Sequence, residues 1–291
     1  MASTFHIASV FTLIFSLPVL SHGWGTDGHY IVCQIAQQRL SDAAARAVNE
    51  LLPDYAKTTL AVSALGLTIH QCASGFMYQT GDCKDESGVQ GDAFLEQSSI
   101  TPLSYVHMET VKTTHAFIKL CLFHLLCLLT KMIKADNLTQ ALLFLSHFMG
   151  DIHQPLHVSH TSDKGGNTID VQWYHKKTVL HHVWDDSIID TAEDHFYGNE
   201  VDKYIDALQR NITGEWSSQI PKWQSCSGDK TTCPDIYASE SISAACDWAY
   251  KGVTDGAVLE DEYFNTRLPI VDLRLAQAGV RLAATLNRIF S

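Results

Sequence analysis

Residues 147–157, which read HFMGDIHQPLH, contain three histidines and one aspartate within eleven residues. In a helix, His147 and Asp151 lie one turn apart on the same face, so an imidazole and a carboxylate can hold one metal ion. Pro155 disfavours helix at the residue before it, which directs His157 away from that face. This short segment can therefore supply ligands to two metal sites.

Other segments must complete these sites, because zinc accepts imidazole nitrogen and carboxylate oxygen but usually takes about three or four protein ligands. His181 and Asp185 repeat the same spacing in LHHVWD. A third segment, WGTDGH, runs from Trp24 to His29. A single pair of this kind more often forms a structural hydrogen bond, but two pairs with His157 and His29 predict metal binding. We predict that four neighbours support these ligands or lie on the surface: His153, His175, His182 and Asp186.

The length and composition of the chain limit the classes of protein to which it can belong. It has 291 residues, of which 46% are hydrophobic, and a formal net charge of -12. This is enough for a sizeable core, and we predict a single domain over residues 24–291. Because an acidic surface repels polyanions, broad coating of nucleic acid is excluded, and any phosphate substrate must be attracted locally through metal.

Residues 1–23 have the pattern of a cleaved signal peptide. An apolar run extends from Val10 to Leu20, and Ser21 and Gly23 place small residues at the third and first positions before Trp24. The alternative is a membrane anchor, but the run is shorter than the ~20 residues that a span needs. The sequence therefore predicts secretion and no membrane association.

Cysteines and sequons agree with that compartment. Eight cysteines in a secreted chain predict disulfides, and we expect one bridge within the late trio, without choosing the pair. The sequons at Asn137 and Asn211 predict N-glycosylation. The late trio is Cys226, Cys233 and Cys246.

Hydrophobic spacing predicts a mainly helical chain. Residues 31–52 fit a helix, with Ser41 and Asp42 opening a second helix inside that range. Residues 168–174 alternate like a short strand or hairpin. Residues 120–130 are strongly apolar but too short to span a membrane, so we predict a buried helix there. Further helices are predicted over residues 138–148, 180–189, 200–216, 239–251 and 268–290.

Taken together, these motifs resemble the S1/P1 nuclease family, and in particular its plant bifunctional nucleases. The motifs are the Trp-Gly start with a His five residues on, His-x3-Asp-x-His-Gln-Pro-Leu-His, Gly-Gly-Asn and Leu-His-x2-Trp-Asp. The likeness covers about residues 24–55 and 134–291. It implies an all-α single domain, with the helical fold that the family shares with zinc-dependent phospholipase C.

The resemblance also implies a function. It is that of a secreted endonuclease, extracellular or vacuolar and monomeric, which cleaves single-stranded DNA and RNA to 5′-phosphate products and has 3′-nucleotidase activity. Asn167 of the Gly-Gly-Asn motif would contact substrate.

The cofactor implied by the resemblance is a cluster of three zinc ions. Asp151 would be the catalytic carboxylate that two of the ions share. One ion would take the amine and carbonyl oxygen of Trp24, His29 and Asp151. Another would take His157, His181 and Asp185. The last would take Asp151, His147 and a further Asp and His.

Residues 56–133 depart from the family pattern. The segments Cys-Ser-Trp-Ala-Asp and Ser-Pro-Leu-His, whose Asp and His bind zinc in relatives, are not found, so one zinc site is incomplete. Ser104 stands in a related context where His belongs, and His70, His107 and His115 are the available replacements. An altered coding sequence would also explain the departure.

Two alternative functions therefore stay open. One is a non-catalytic zinc-binding glycoprotein, because two ligands are missing. The other is a zinc-dependent phospholipase C, against which the run CPDIYASES at residues 233–241 favours the nuclease branch.

Overall fold

The computed structural model describes residues 23–52, 60, 135–228 and 230–291. Several predicted features lie outside the described residues: the leader up to residue 22, the helix at 120–130, the side chain of Asn137 and, except for Leu60, the stretch at 56–133.

The first two helices follow the sequence prediction. Helix α1 spans Thr26–Gln37 and α2 spans Asp42–Leu51. The Ser41 hydroxyl accepts a hydrogen bond from the Ala44 amide at 3.2 Å, so this side chain caps one of the orphan donors of α2. The predicted break inside residues 31–52 is confirmed at the predicted residue.

The rest of the described chain is also mainly helical. Helix α3 spans Ala135–Asp151 and ends just before a 3-10 turn, Pro155–Val158, which confirms that Pro155 ends the helix. Helical residues 180–197 combine α4 (Leu180–His182), a π segment (Val183–Ser187), α5 (Ile188–Ala192) and a second π segment (Glu193–Tyr197). The remaining elements are α6 (Val201–Thr213), a 3-10 turn (Ser217–Gln219), α7 (Ile220–Gln224), α8 (Pro234–Ala244), a π segment (Ala245–Ala249) and α9 (Asp261–Ile289).

A small three-stranded sheet lies beside the helices. Strand β1 (Asp170–Trp173) pairs antiparallel with β2 (Lys176–Val179), with Trp173 opposite Lys176, so the predicted hairpin is confirmed. Strand β3 (Ala257–Leu259) joins β1 in parallel, which gives the order β2-β1-β3. The sheet leads directly into α4, so the hairpin positions the segment that carries His181.

Helix α9 forms the centre of the core and packs along α1. The two backbones approach so closely at Gly279 that a Cβ there would lie 2.5 Å from side-chain atoms of Ile35. The helix starts at Asp261, before the predicted residue 268, because buried Tyr263 and Phe264 anchor its first turns. The all-α prediction is confirmed, with the small sheet as an addition.

Covalent links also follow the prediction. Cys226 and Cys233 form a disulfide, which confirms one bridge within the late trio, and Cys246 is disulfide-bonded as well. In the described part of the chain, Cys33 is a buried free thiol. No helix among the described residues is both long enough and apolar enough to cross a membrane.

Candidate metal centre

Three buried side chains from two helices meet in what we call the His29 group: His29 of α1 with His147 and Asp151 of α3. The Asp151 carboxylate lies between the two imidazoles, with Oδ1 3.1 Å from His29 Nε2 and Oδ2 3.2 Å from His147 Nε2. The imidazole rings stack with centroids 4.2 Å apart and planes 14° apart. The predicted pairing of His147 with Asp151 across one helical turn is confirmed as a contact.

A second trio, the His157 group, combines His157 of the 3-10 turn with His181 and Asp185 of the 180–197 segment. The Nε2 atoms of the two histidines lie 3.1 Å apart, and each is 3.3 Å from an oxygen of Asp185. In each group the candidate ligand atoms all lie within 4.8 Å of one another. The structure therefore brings six of the predicted metal ligands into two compact sets.

The Gly-Gly-Asn motif fixes the tautomer of His181. Gly165 and Gly166 adopt φ values of 65° and 82°, a left-handed conformation that glycine adopts without steric cost. In this conformation the Gly165 carbonyl accepts a hydrogen bond from His181 Nδ1 at 2.6 Å. Because a carbonyl can only accept, Nδ1 carries the hydrogen and Nε2 presents its lone pair to the group.

The residues present fit a bound cation. In the described part of the chain, both Asp151 oxygens, both ring nitrogens of His29 and Nδ1 of His147 are buried without a hydrogen-bond partner of good geometry. Such atoms are rare in folded proteins because each loses its hydration without compensation. Zinc takes imidazole nitrogen and carboxylate oxygen, so a zinc ion would satisfy this donor set.

Protonation favours cation binding at His29 and His157. At His147, burial by itself would lower the pKa, but Asp151 raises it above its usual value, so a cation would replace a proton there. Burial lowers the pKa of both His29 and His157 to about 4, so these imidazoles are neutral near pH 7, as metal ligands must be. Burial by itself would raise the pKa of Asp151, but His147 and His29 lower it well below its usual value. Burial raises the pKa of Asp185 to about 7, and a nearby cation would stabilise its ionised form.

The segment that begins at Gly23 adjoins both groups. A Cβ added to Gly23 would lie 1.6 Å from Asp151 Oδ1 and 2.8 Å from His29 Nε2, so the backbone of this residue presses against the His29 group. Trp24 is fully buried, and the Gly25 amide donates to the Asp185 carbonyl at 2.9 Å. The Trp24 amine would therefore be released beside Asp151 by cleavage after Gly23, although its role as a ligand stays a prediction.

Of the neighbouring polar residues, His175 and His182 are exposed, as predicted, whereas His153 is buried and bonds to residues outside both groups. The His182 side chain is 55% exposed and pairs with Asp186 at 2.9 Å, outside both groups. His153 is buried, and its Nε2 accepts a hydrogen bond from Arg281 at 2.9 Å. One supporting residue was missed. Gln154 is fully buried and donates to Asp185, and its place between two ligands in the motif was the available signal.

A groove of about 1190 Å³ opens beside the His157 group. Its volume exceeds the roughly 300–1,000 Å³ of a typical small-molecule pocket, so the groove has room for more than one monomer of a polymeric ligand. The predicted substrate contact Asn167 lies on its wall, where the side-chain amide donates to the Lys164 carbonyl at 2.8 Å. Its polar lining also includes three aspartates, one lysine and several neutral residues: Asp170, Asp185, Asp186, Lys177, Gln172, Thr178 and His181.

Comparison with known proteins agrees with these motifs. The profile of the S1/P1 Nuclease family matches residues 24–71 and 103–291. It thus extends further into the 56–133 stretch than the recognisable motifs do and leaves out residues 72–102.

Individual relatives align along nearly the whole chain. Endonuclease 2 of Arabidopsis thaliana is 49% identical, with 96% of this chain and 94% of that protein aligned. Endonuclease 4 of the same plant is 41% identical over 92% of this chain and 89% of its own length. Nuclease S1 of Aspergillus oryzae is 28% identical, with 95% of each chain aligned.

Proposed function

The chain belongs to the S1/P1 nuclease family, and from this premise we propose that it is a secreted, zinc-dependent endonuclease that cleaves single-stranded DNA and RNA. The proposed products carry 5′-phosphates, and 3′-mononucleotides would also be dephosphorylated. The observation that carries this proposal is the pair of buried groups, each with two histidines and one aspartate within 4.8 Å.

Both groups have residues suited to zinc. His29, His147 and Asp151, with the Trp24 amine after processing, would hold zinc on one side, and the His157 group would hold zinc on the other. Bound zinc would supply positive charge that polarises the phosphodiester and activates water for in-line attack. Three ions are expected from the family, and the site that needs the two ligands missing from residues 56–133 is proposed to be incomplete.

The protein's own contribution is preorganisation. The Gly165 carbonyl orients His181, Gln154 orients Asp185, and Asp151 is held between His29 and His147. Because these side chains are buried and already oriented, little reorganisation accompanies the build-up of charge on the phosphate. Because a groove opens beside the His157 group, the arrangement suits hydrolysis of a phosphate ester better than a closed structural site.

The groove supports a polymeric single strand as substrate. It begins at His181 and Asp185 and continues along the hairpin, where Lys177 is exposed. The chain has a net charge of -12, and the groove itself is lined by Asp170, Asp185 and Asp186 with Lys177 as its basic residue. A polyanionic strand would therefore be attracted there by bound metal and not by the charge of the lining. Lys177 and Asn167 are the proposed contacts to the phosphate and base of that strand.

Metal removal tests the proposed function. We expect the chain starting at Trp24 to hydrolyse a single-stranded oligonucleotide at a low rate, because one zinc site is proposed to be incomplete. Chelation should lower that rate at least about 1,000-fold further, because a metal contributes several kcal/mol of charge stabilisation. Added Zn²⁺ should restore the rate, while added Mg²⁺, which prefers oxygen ligands, should not. The rates and the 5′-phosphate ends are measured by electrophoresis and mass spectrometry.

The same assay separates the alternatives. A protein that binds zinc but hydrolyses neither nucleic acid nor lipid would be the non-catalytic zinc-binding glycoprotein. Hydrolysis of phosphatidylcholine without cleavage of single-stranded DNA would make it a phospholipase C. A duplex of the same sequence serves as the control for strand specificity and should be cut more slowly.

Processing at the amino terminus should control metal content. Because Gly23 lies against Asp151 and His29, we expect a chain that retains Gly23 to bind about one zinc fewer than a chain starting at Trp24. Elemental analysis of the two purified proteins gives the ratio of zinc to protein. A chain that starts at Trp24 but carries a carboxy-terminal extension controls for the effect of added residues, and equal zinc in all three would contradict the role of the Trp24 amine.

Secretion, glycosylation and a monomeric state complete the proposal. The Cys226–Cys233 disulfide fits an oxidising compartment, extracellular or vacuolar. The Asn211 sequon lies at the end of α6 with Thr213 exposed, which supports modification there, as proposed also for Asn137.

A further inference from the structure

We propose that Gln154 is a positioning residue that sets the orientation of both His157 and Asp185 for metal binding. The inference rests on the proposed function, since it assigns a role within a proposed zinc site. Gln154 is not a ligand in this proposal. It acts through the two ligands that its side chain connects.

The amide of Gln154 contacts two segments at once. Its Nε2 donates a hydrogen bond to Asp185 Oδ1 at 2.6 Å. Its Oε1 accepts a hydrogen bond from the backbone amide of Leu156, in the 3-10 turn that carries His157. One rigid, planar group therefore links the 3-10 turn to Asp185, which lies 31 residues after Gln154 in the chain.

Each contact controls a different ligand. At the Leu156 amide, Gln154 acts as the cap of the 3-10 turn and so fixes the direction in which His157 leaves the backbone. At Asp185, the amide hydrogen holds Oδ1 and sets the plane of the carboxylate, with Oδ2 3.3 Å from His181 Nε2. Loss of the amide would free both ligands to rotate.

The turn that bears Gln154 is itself held from the opposite side. His153 Nδ1 donates to the Met149 carbonyl at 2.7 Å, and Arg281 donates to His153 Nε2 at 2.9 Å. Arg274 donates to the His153 carbonyl at 3.2 Å, and Glu240 accepts hydrogen bonds from both arginines. Because the backbone at His153 is anchored in this way, a change of the Gln154 side chain should act on the 3-10 turn and on Asp185 without displacing the end of α3.

Removing the Gln154 amide should lower zinc affinity, because it removes a hydrogen bond to the proposed ligand Asp185. The side chain is 0% exposed, so water has no ready access to replace the donor to Asp185. Partners of this kind typically contribute about 10–100-fold to metal affinity. We therefore expect Gln154→Met, which keeps the length of the side chain but removes the amide, to weaken zinc binding by about that factor.

Gln277→Met is the matched control. Gln277 is also a buried glutamine, but its Oε1 accepts from Arg274 and contributes to neither metal group. For both variants and the unaltered protein, zinc affinity is measured by competition with a chromophoric chelator. The visible spectrum of the Co²⁺ form reports ligand geometry, and urea unfolding in EDTA reports the stability of the metal-free fold.

The expected result is a weaker zinc affinity and an altered Co²⁺ spectrum for Gln154→Met alone. Unaltered affinity and spectrum in Gln154→Met would overturn the proposal, as would an equal loss in both variants, which would indicate a general effect on the fold. If Gln154→Met does not fold, Gln154→Asn retains the amide on a side chain too short to span both partners. Wild-type affinity in the folded Asn variant would likewise overturn it.

The outcome for the unaltered protein separates a failure of the proposed function from a failure of the positioning role of Gln154. If it binds no zinc, the proposed function fails and the role of Gln154 fails with it. If it binds zinc and cleaves single strands while Gln154→Met retains full affinity, only the positioning role is lost.

Discussion

Replacing Asp151 with Asn should reduce nuclease activity at least about 1,000-fold, the loss expected when metal charge is removed from the reaction. The Asp151 carboxylate is 1% exposed and lies between His29 and His147 at 3.1 and 3.2 Å. Asn has the same shape but no charge, and one oxygen becomes an amide that donates hydrogen bonds. The zinc that this carboxylate would help to hold should therefore bind weakly.

Zinc content and rate together measure this effect. Zinc per chain should fall by at least one ion in Asp151→Asn, while the helical content stays unchanged. Asp272→Asn is the control, because it makes the same change at another carboxylate, which is partly buried. Asp272 accepts a hydrogen bond from the Tyr204 hydroxyl and belongs to neither metal group. Full zinc content with wild-type rate in Asp151→Asn would contradict both the shared carboxylate and its catalytic role.

Two adjacent histidines should differ sharply in their contribution to zinc binding. We expect His181→Ala to weaken zinc binding well beyond the ~10–100-fold typical of a supporting residue, and His182→Ala to stay within or below that range. The His181 side chain is 1% exposed with Nε2 directed at His157 and Asp185. The His182 side chain is 55% exposed and pairs with Asp186 at 2.9 Å, outside both metal groups.

The pair is its own control, since the same substitution is made one residue apart on one helix. Zinc affinity by chelator competition gives the two factors, and the rate of strand cleavage should follow the same order. Similar losses of zinc affinity in His181→Ala and His182→Ala would mean that the buried His181 is no more a ligand than the exposed His182. The assignment of the His157 group would then be wrong.

The parts of the fold that could be predicted from the sequence are those set by interactions between residues close in the chain. The start of α2 at Ser41 and Asp42, the end of α3 before Pro155 and the β1–β2 hairpin depend on capping, proline sterics and alternation, which act over a few residues. The start of α9 was missed because Tyr263 and Phe264 are buried against distant elements. The π segment that carries Asp185 likewise had no visible local signal.

The sequence by itself determined which residue types could bind zinc and how they pair within a helix. His147 with Asp151 and His181 with Asp185 follow from the helical repeat, because residues four apart share a face. The motifs were also sufficient for the family and hence for a nuclease. These properties depend on residue identity and short-range geometry, which are written directly in the chain.

Only the tertiary structure decided which pairs meet. It placed His29 against Asp151 across 122 residues, brought His157 within 3.1 Å of His181 and set Gln154 against Asp185. It also showed that Gly23 occupies space beside Asp151. Such contacts arise when α1, α3 and the 180–197 segment pack around α9, and packing of distant segments is selected by the whole core rather than by local spacing.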